Sequence, residues 1–171
     1  SVVDREVIEY LQKPLTELRA DIDSENTYLK GLALEAFAIR IMRIIGLNFI
    51  QTRLKGSETA GAEVDVLFDS THLLYSRWQV QCKNTHRVSL DQIAKEVGLS
   101  HVLKTNAIVI MTTGVVSEKA REYSTQIMKT MNLCIIIVEG SDIDAIIAEP
   151  TKILEIFNRE SLNAKHIKVF E

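Results

Sequence analysis

Asp65, Gln81 and Lys83 carry the side chains whose types and spacing could do chemistry together: Gln81 stands sixteen residues after Asp65, and Lys83 two residues after Gln81. An acid, a second oxygen ligand and a nearby lysine are the set that metal-dependent phosphodiester hydrolysis requires. Carboxylate, amide and backbone carbonyl oxygens hold Mg²⁺, a hard cation that keeps several of its waters. The ion polarises a phosphate and lowers the pKa of bound water. A lysine beside it orients that water or stabilises charge growing on the phosphorane oxygens.

Two strands must bring these residues together. Trp78, Val80 and Cys82 alternate with Gln79, Gln81 and Lys83, so a strand there separates apolar from polar side chains and points Gln81 and Lys83 the same way. The same period in Glu63-Val64-Asp65-Val66-Leu67-Phe68 puts Glu63 and Asp65 on one side. An antiparallel hairpin centred near Leu73 makes Asp65 and Gln81 equidistant from the turn and opposed. Their Cβ atoms would then lie about 4.5 to 5.5 Å apart, close enough to share one ion. The backbone carbonyl of Cys82 is a further candidate ligand.

Around the hairpin, residues 4 to 20 show helical spacing broken by Pro14. Ser24 is placed to cap a long helix from Glu25 to about Ile45, with Gly46 at its C′ position. Strands are expected at Asn48 to Arg53, Val64 to Phe68 and Trp78 to Lys83. Ser89 with Gln92 forms a capping box for a helix ending near Gly98. A strand from Ala107 to Thr112, a helix opened by Ser117, and a strand from Leu133 to Val138 follow. Asp142 and Thr151 are the expected N-caps of two closing helices. The last strands need crossover connections, so the expected class is α/β, a mixed central sheet flanked by helices.

Glu35 has Gly31, Leu32, Ala38 and Ile39 as its helical neighbours, none of them a charge partner. A carboxylate so placed is costly unless it meets water or a cation, which makes it a candidate to complete the metal shell. Glu63 shares a face with Asp65 and is a further candidate ligand. Thr112 and Thr113 are expected to close a turn, and Gln92 to serve its capping box.

The 171 residues, 46% hydrophobic and 25% charged, suit one ordinary globular domain over 1–171 with helical extensions at 1–24 and 142–171. The apolar runs are too short to span a bilayer, and the charged, amphipathic start is unlike a signal peptide. Cys82 and Cys134 lie in strand-like runs without a CxxC pattern, and the four histidines lack zinc-ligand spacing. Structural thiols in a reducing cytoplasm are expected. The net charge of -3 argues against a generic polyanion binder. Arg53, Lys55, Arg77, Lys83, His86, Arg87, Lys95, His101 and Lys104 nevertheless cluster in sequence near the site, as a patch that tracks phosphates would. Aromatics total only 6% and do not interleave with these residues, which argues against a single-strand stacking platform. No GxGxxG or Walker lysine follows a predicted strand, which argues against nucleotide binding.

Three segments together resemble the PD-(D/E)XK nucleases of the Mrr-like restriction endonuclease branch, in which glutamine commonly replaces the second acid. Leu34-Glu35-Ala36-Phe37 through Ile45-Gly46-Leu47 is similar to the family's first core helix. Asp65 and Gln81-Cys82-Lys83 match its central acid and Q-x-K motif. Ile108 to Gly114 with Ser117 to Glu122 resembles its third core strand and following helix. The resemblance covers roughly residues 31 to 138. It implies a restriction-endonuclease-like three-layer sandwich and a Mg²⁺-dependent endodeoxyribonuclease, with Mn²⁺ as a substitute. Asp65, Gln81, the Cys82 carbonyl and Glu35 would hold the metal, and Lys83 would assist attack on phosphorus. Gln81 brings no charge, so Glu63 or Glu35 is expected to supply the missing carboxylate. Double-stranded DNA is the implied partner, met by Arg53, Lys55, His86, Arg87 and Lys104. A homodimer or larger assembly is expected, with an additional recognition domain outside these residues. The alternatives are a catalytically inactive nucleic-acid-binding or scaffolding domain, and a branched-DNA or repair nuclease on the same site chemistry.

Overall fold

The computed structural model describes residues 9–54 and 64–169. In chain order its elements are α1 (Leu15–Ile22), α2 (Thr27–Ile44), β1 (Asn48–Leu54), β2 (Val64–Ser70), β3 (Ser76–Lys83), β4 (Arg87–Val88), α3 (Leu90–Leu103), β5 (Ala107–Thr112), β6 (Val115–Val116), α4 (Glu118–Thr130), β7 (Cys134–Val138), α5 (Gly140–Ala148) and α6 (Lys152–Ile167). Five strands form one mixed sheet in the order β1-β2-β3-β5-β7. The first three are an antiparallel meander. β3, β5 and β7 run parallel, because α3 and α4 carry the chain back between them. β4 and β6 add a separate two-stranded parallel pair, which the sequence patterns did not suggest because two-residue strands have no period to read.

Alternation along the strands divides the core into two layers. Val66, Phe68, Val80, Val109, Met111, Ile136 and Val138 face α1, α2, α5 and the start of α6. Ile108, Ile110, Ile135 and Ile137 face α3, α4 and Ala164 of α6. This is the three-layer mixed α/β sandwich expected from the sequence. α6 runs along the β7 edge: Glu160 Oε1 accepts the Ile137 N–H at 3.1 Å, so an edge group that could pair with another strand is covered.

Three boundaries differ from the sequence expectations. α3 continues through Gly98 to Leu103, because Leu99 and Leu103 bury against Leu67 and nothing lies near enough to Gly98 to require glycine there. The N-cap of α2 is Asn26, whose Oδ1 accepts the Tyr28 and Leu29 N–H groups; Ser24 Oγ accepts the Asn26 N–H instead. Glu139, not Asp142, is the N-cap of α5, and Asp142 is its N3 partner in a capping box.

Asp142 also receives both Arg159 Nη atoms at 2.9 and 3.1 Å. Burial works to raise its pKa, but the Arg159 fork and the Glu139 N–H outweigh it and hold the carboxyl below its ordinary value of 3.8. A lowered folded-state value stabilises the fold above the unfolded pKa and loses that stability as pH falls through the folded one. Urea unfolding of Asp142→Asn should therefore show a loss of about 1–3 kcal/mol at pH 7, with the difference from wild type shrinking below about pH 4.

Candidate active site

The hairpin of β2 and β3 pairs Val66 with Val80 and Leu67 with Gln79. The paired register ends at Val66 and Val80, and one further step of the same register would set Asp65 opposite Gln81. Asp65 Oδ2 accepts the Cys82 N–H at 2.7 Å, a short charge-assisted bond that fixes the carboxylate at the open end of the hairpin. Asp65, Gln79, Gln81 and Lys83 share the sheet face that α3 covers. Gln81 is only 6% exposed, and its Oε1 has no hydrogen-bond partner. A buried acceptor without a donor costs about 1–3 kcal/mol.

Sequence reasoning missed a second buried acid. Glu96, on α3, is 1% exposed. Gln79 Nε2 donates to its backbone oxygen at 3.0 Å and to Oε2 at 3.1 Å, and the Thr105 hydroxyl donates to Gln79 Oε1 at 2.6 Å. Glu96 Oε1 has no partner. Burial pushes its pKa up to about 7, against the pull of Gln79 and Lys83. The available signal was helical period: Glu96 sits among Ile93, Val97, Leu99 and Ser100 on the inward side of α3.

Glu35 reaches the neighbourhood from the opposite layer. It is 5% exposed on α2, and the preceding carbonyl of Leu34 accepts a weak contact from Cys82 Sγ at 3.9 Å. Burial pushes the Cys82 thiol well above its ordinary value, and the Asp65 and Glu35 carboxylates add to the rise. Since the thiolate is the reactive form, Cys82 is expected to resist iodoacetamide at pH 7 in the folded protein. Labelling at a rate typical of a free thiol would show that the α2–β3 contact is open.

The segment after Lys83 is tied down. Thr113 N–H donates to Lys83 O at 3.2 Å, Val115 N–H to His86 O at 3.0 Å, and Thr113 Oγ1 to Asn84 Oδ1 at 2.9 Å. Thr112 and Thr113 thus close the turn. A polar cleft of about 270 Å³ lies here, lined by Lys30, His86 and Thr113 among others. His86 and Arg87 are exposed beside Lys83. Lys104 is exposed as well, but it caps the far end of α3. Fourteen helical residues separate it from Arg87, about 20 Å at 1.5 Å per residue, so the structure does not bring Lys104 to the others. Glu63, Lys55 and the side chain of Arg53 lie outside the described residues.

Gly114 makes this turn possible. A Cβ there would fall well inside contact distance of the Thr85 and His86 carbonyl oxygens, both backbone atoms. Gly114→Ala is expected to cost about 1–3 kcal/mol, measured by denaturant unfolding. An unchanged midpoint would mean that the 84–86 segment is free to withdraw.

Among the described residues no three His, Cys, Asp or Glu side chains converge closely enough to hold a metal ion. The Oε1 atoms of Gln81 and Glu96 are both buried without a hydrogen-bond partner. No helix among those residues is long and apolar enough to cross a membrane.

Residues 28–147 match the Mrr_cat model, described as restriction endonuclease. No curated protein matches the chain. Similar solved structures include the DNA modification-dependent restriction endonuclease AspBHI, with a TM-score of 0.56 and 13% identity over 91% of this chain and 40% of that one. The MspJI restriction endonuclease, in complex with a 27-mer oligonucleotide, has a TM-score of 0.50 and 19% identity over 91% and 35%. AF1548, a protein of unknown function, has a TM-score of 0.50 and 17% identity over 68% and 59%. The chain thus spans less than two thirds of each of these structures. At such identities the likeness is one of fold.

Proposed function

The chain belongs to the Mrr_cat restriction endonuclease family, and from that we propose that residues 1–171 act as one nuclease domain that hydrolyses phosphodiester bonds of double-stranded DNA with Mg²⁺, or Mn²⁺ in its place. The observation that carries the reading is the open end of the β2–β3 hairpin. Asp65 is locked there onto the Cys82 N–H, the Gln81 oxygen beside it is buried without a donor, and Lys83 follows at the strand end.

These donors fit a hard dication that keeps most of its waters, since all are oxygens and the protein shell is incomplete. When bound, such an ion would polarise the scissile phosphate and acidify a coordinated water. Asp65, Gln81 and the Cys82 carbonyl would hold it, and Glu35 would complete or orient that shell. Lys83, half-buried at the rim, would place its ammonium against the attacking water or the charge developing on phosphorus. His86 and Arg87 would contact the DNA backbone. Two hairpins are needed to cut both strands, so the working form is a homodimer or larger assembly. Target recognition falls to parts beyond the region shared with AspBHI and MspJI.

The test is conversion of supercoiled plasmid, modified and unmodified, with Mg²⁺ and with EDTA. Cleavage only with the metal is the expected result, and cleavage that is equal in EDTA would remove the reading. A second reading, a nucleic-acid-binding domain without hydrolysis, is favoured by the neutral Gln81 and by the lack, among the described residues, of three His, Cys, Asp or Glu side chains that could hold a metal. It predicts salt-dependent duplex binding with no calorimetric Mg²⁺ signal.

A further inference from the structure

At the open end of the hairpin Asp65 is the one described carboxylate on this face, with the neutral Gln81 across from it and the Lys83 ammonium nearby; Asp69, on the same face, lies at the turn end opposite Arg77. One carboxylate facing a dication and a lysine leaves a charge deficit. α3 lies over that face, and Gln79 fastens Glu96 to it through both the backbone oxygen and Oε2. Gln79 is fully buried and is itself held by Thr105, so the carboxyl orientation is locked and Oε1 is the oxygen left over. Among the described residues only two buried side-chain oxygens lack a partner: Glu96 Oε1 and Gln81 Oε1. No described Lys, Arg or His forms an ion pair with Glu96, although the charges of Lys83 and Asp65 both act on its carboxyl and place it in their neighbourhood.

We propose that Glu96, through Oε1, supplies the second carboxylate of the metal site, in place of the charge that Gln81 does not bring. The inference rests on the metal-dependent reading above. It accounts for both orphaned oxygens at once, because a cation near the hairpin face is the partner that two acceptors can share. It also accounts for the Gln79–Thr105 arrangement, in which a fully buried amide, held by the Thr105 hydroxyl, donates to both the backbone oxygen and one carboxylate oxygen of Glu96. Glu35 differs from Glu96 in approaching from the α2 side, next to the Cys82 thiol.

Mn²⁺ binding, read by electron paramagnetic resonance of the free ion, tests this without reference to cleavage. Glu96→Gln keeps an acceptor for Gln79 and removes the charge. It is expected to weaken Mn²⁺ binding about 10- to 100-fold, with a melting midpoint in EDTA no lower than wild type. Adding Gln81→Glu to Glu96→Gln should recover most of the affinity. Glu96→Asp, which keeps the charge and withdraws it by one methylene, covers the case in which the glutamine variant does not fold; a loss of about tenfold is expected. Wild-type affinity in Glu96→Gln, or in Glu96→Asp, alongside its loss in Asp65→Asn would overturn the role of Glu96 alone. No Mn²⁺ binding by the wild type would overturn both this inference and the metal-dependent reading.

Discussion

Asp65→Asn is expected to slow plasmid cleavage in saturating Mg²⁺ by about 10³-fold, the range seen when one electrostatic or acid–base contributor is removed from a hydrolytic site. The substitution is nearly isosteric, and the asparagine oxygen can still accept the Cys82 N–H that Asp65 Oδ2 now receives. The hairpin register should therefore survive, and circular dichroism and the melting midpoint should change little. What is lost is the charge. Lys83→Ala should fall by a similar factor for a different reason: in the proposed reaction its ammonium would act on the reacting phosphate, and it holds no described structural bond. The two variants separate in metal binding, since Asp65→Asn should abolish it and Lys83→Ala should leave it intact or strengthen it by removing a nearby positive charge. If either variant retains cleavage within tenfold of wild type, the hydrolytic centre lies elsewhere.

The parts of the candidate site whose placement could be read in advance are those built from a single hairpin. Period-two alternation fixes which side chains share a face, and a turn centred near Leu73 fixes which residues oppose each other. Asp65, Gln81 and Lys83 follow from those two facts alone, and the observed pairing of Val66 with Val80 agrees with them. Glu96 was out of reach for the same reason that Asp65 was within it. Its place depends on how α3 crosses the sheet, which is decided by Leu99, Leu103 and Leu67 meeting across layers, and no local spacing encodes that. The boundary errors are also physical. Ser24 and Asn26, or Glu139 and Asp142, each offer a side chain that can satisfy free N–H groups within one turn, so local chemistry permits both frames and tertiary packing chooses. Gly98 reads as a stop, yet a helix tolerates one glycine at a cost of about 1 kcal/mol when two leucines beyond it are buried.

The largest stability effect is expected at Phe37. α2 is unusual in being buried around most of its circumference: Leu32 to Ile39 are all buried, as are Ile41 and Met42. The helix shares one buried cluster with the sheet, α1, α5 and the start of α6. Phe37 is 0% exposed and heads the fully buried side chains by volume. Truncation to alanine removes a fully buried ring from that cluster and leaves a cavity that partial relaxation does not refill. The expected loss is about 3–5 kcal/mol, a large part of the roughly 5–15 kcal/mol that holds a domain folded. At about 2–4 °C per kcal/mol for a chain of this size, the melting midpoint should drop by about 10 °C or more. Phe37→Leu, which refills most of the volume, should cost less than about 1.5 kcal/mol. α2 carries Glu35 but none of Asp65, Gln81 and Lys83, so Phe37→Ala that is still folded at low temperature should weaken Mn²⁺ binding less than Asp65→Asn does. A loss under about 1 kcal/mol would mean that α2 is not buried as described, and the approach of Glu35 to Cys82 would then lose its support.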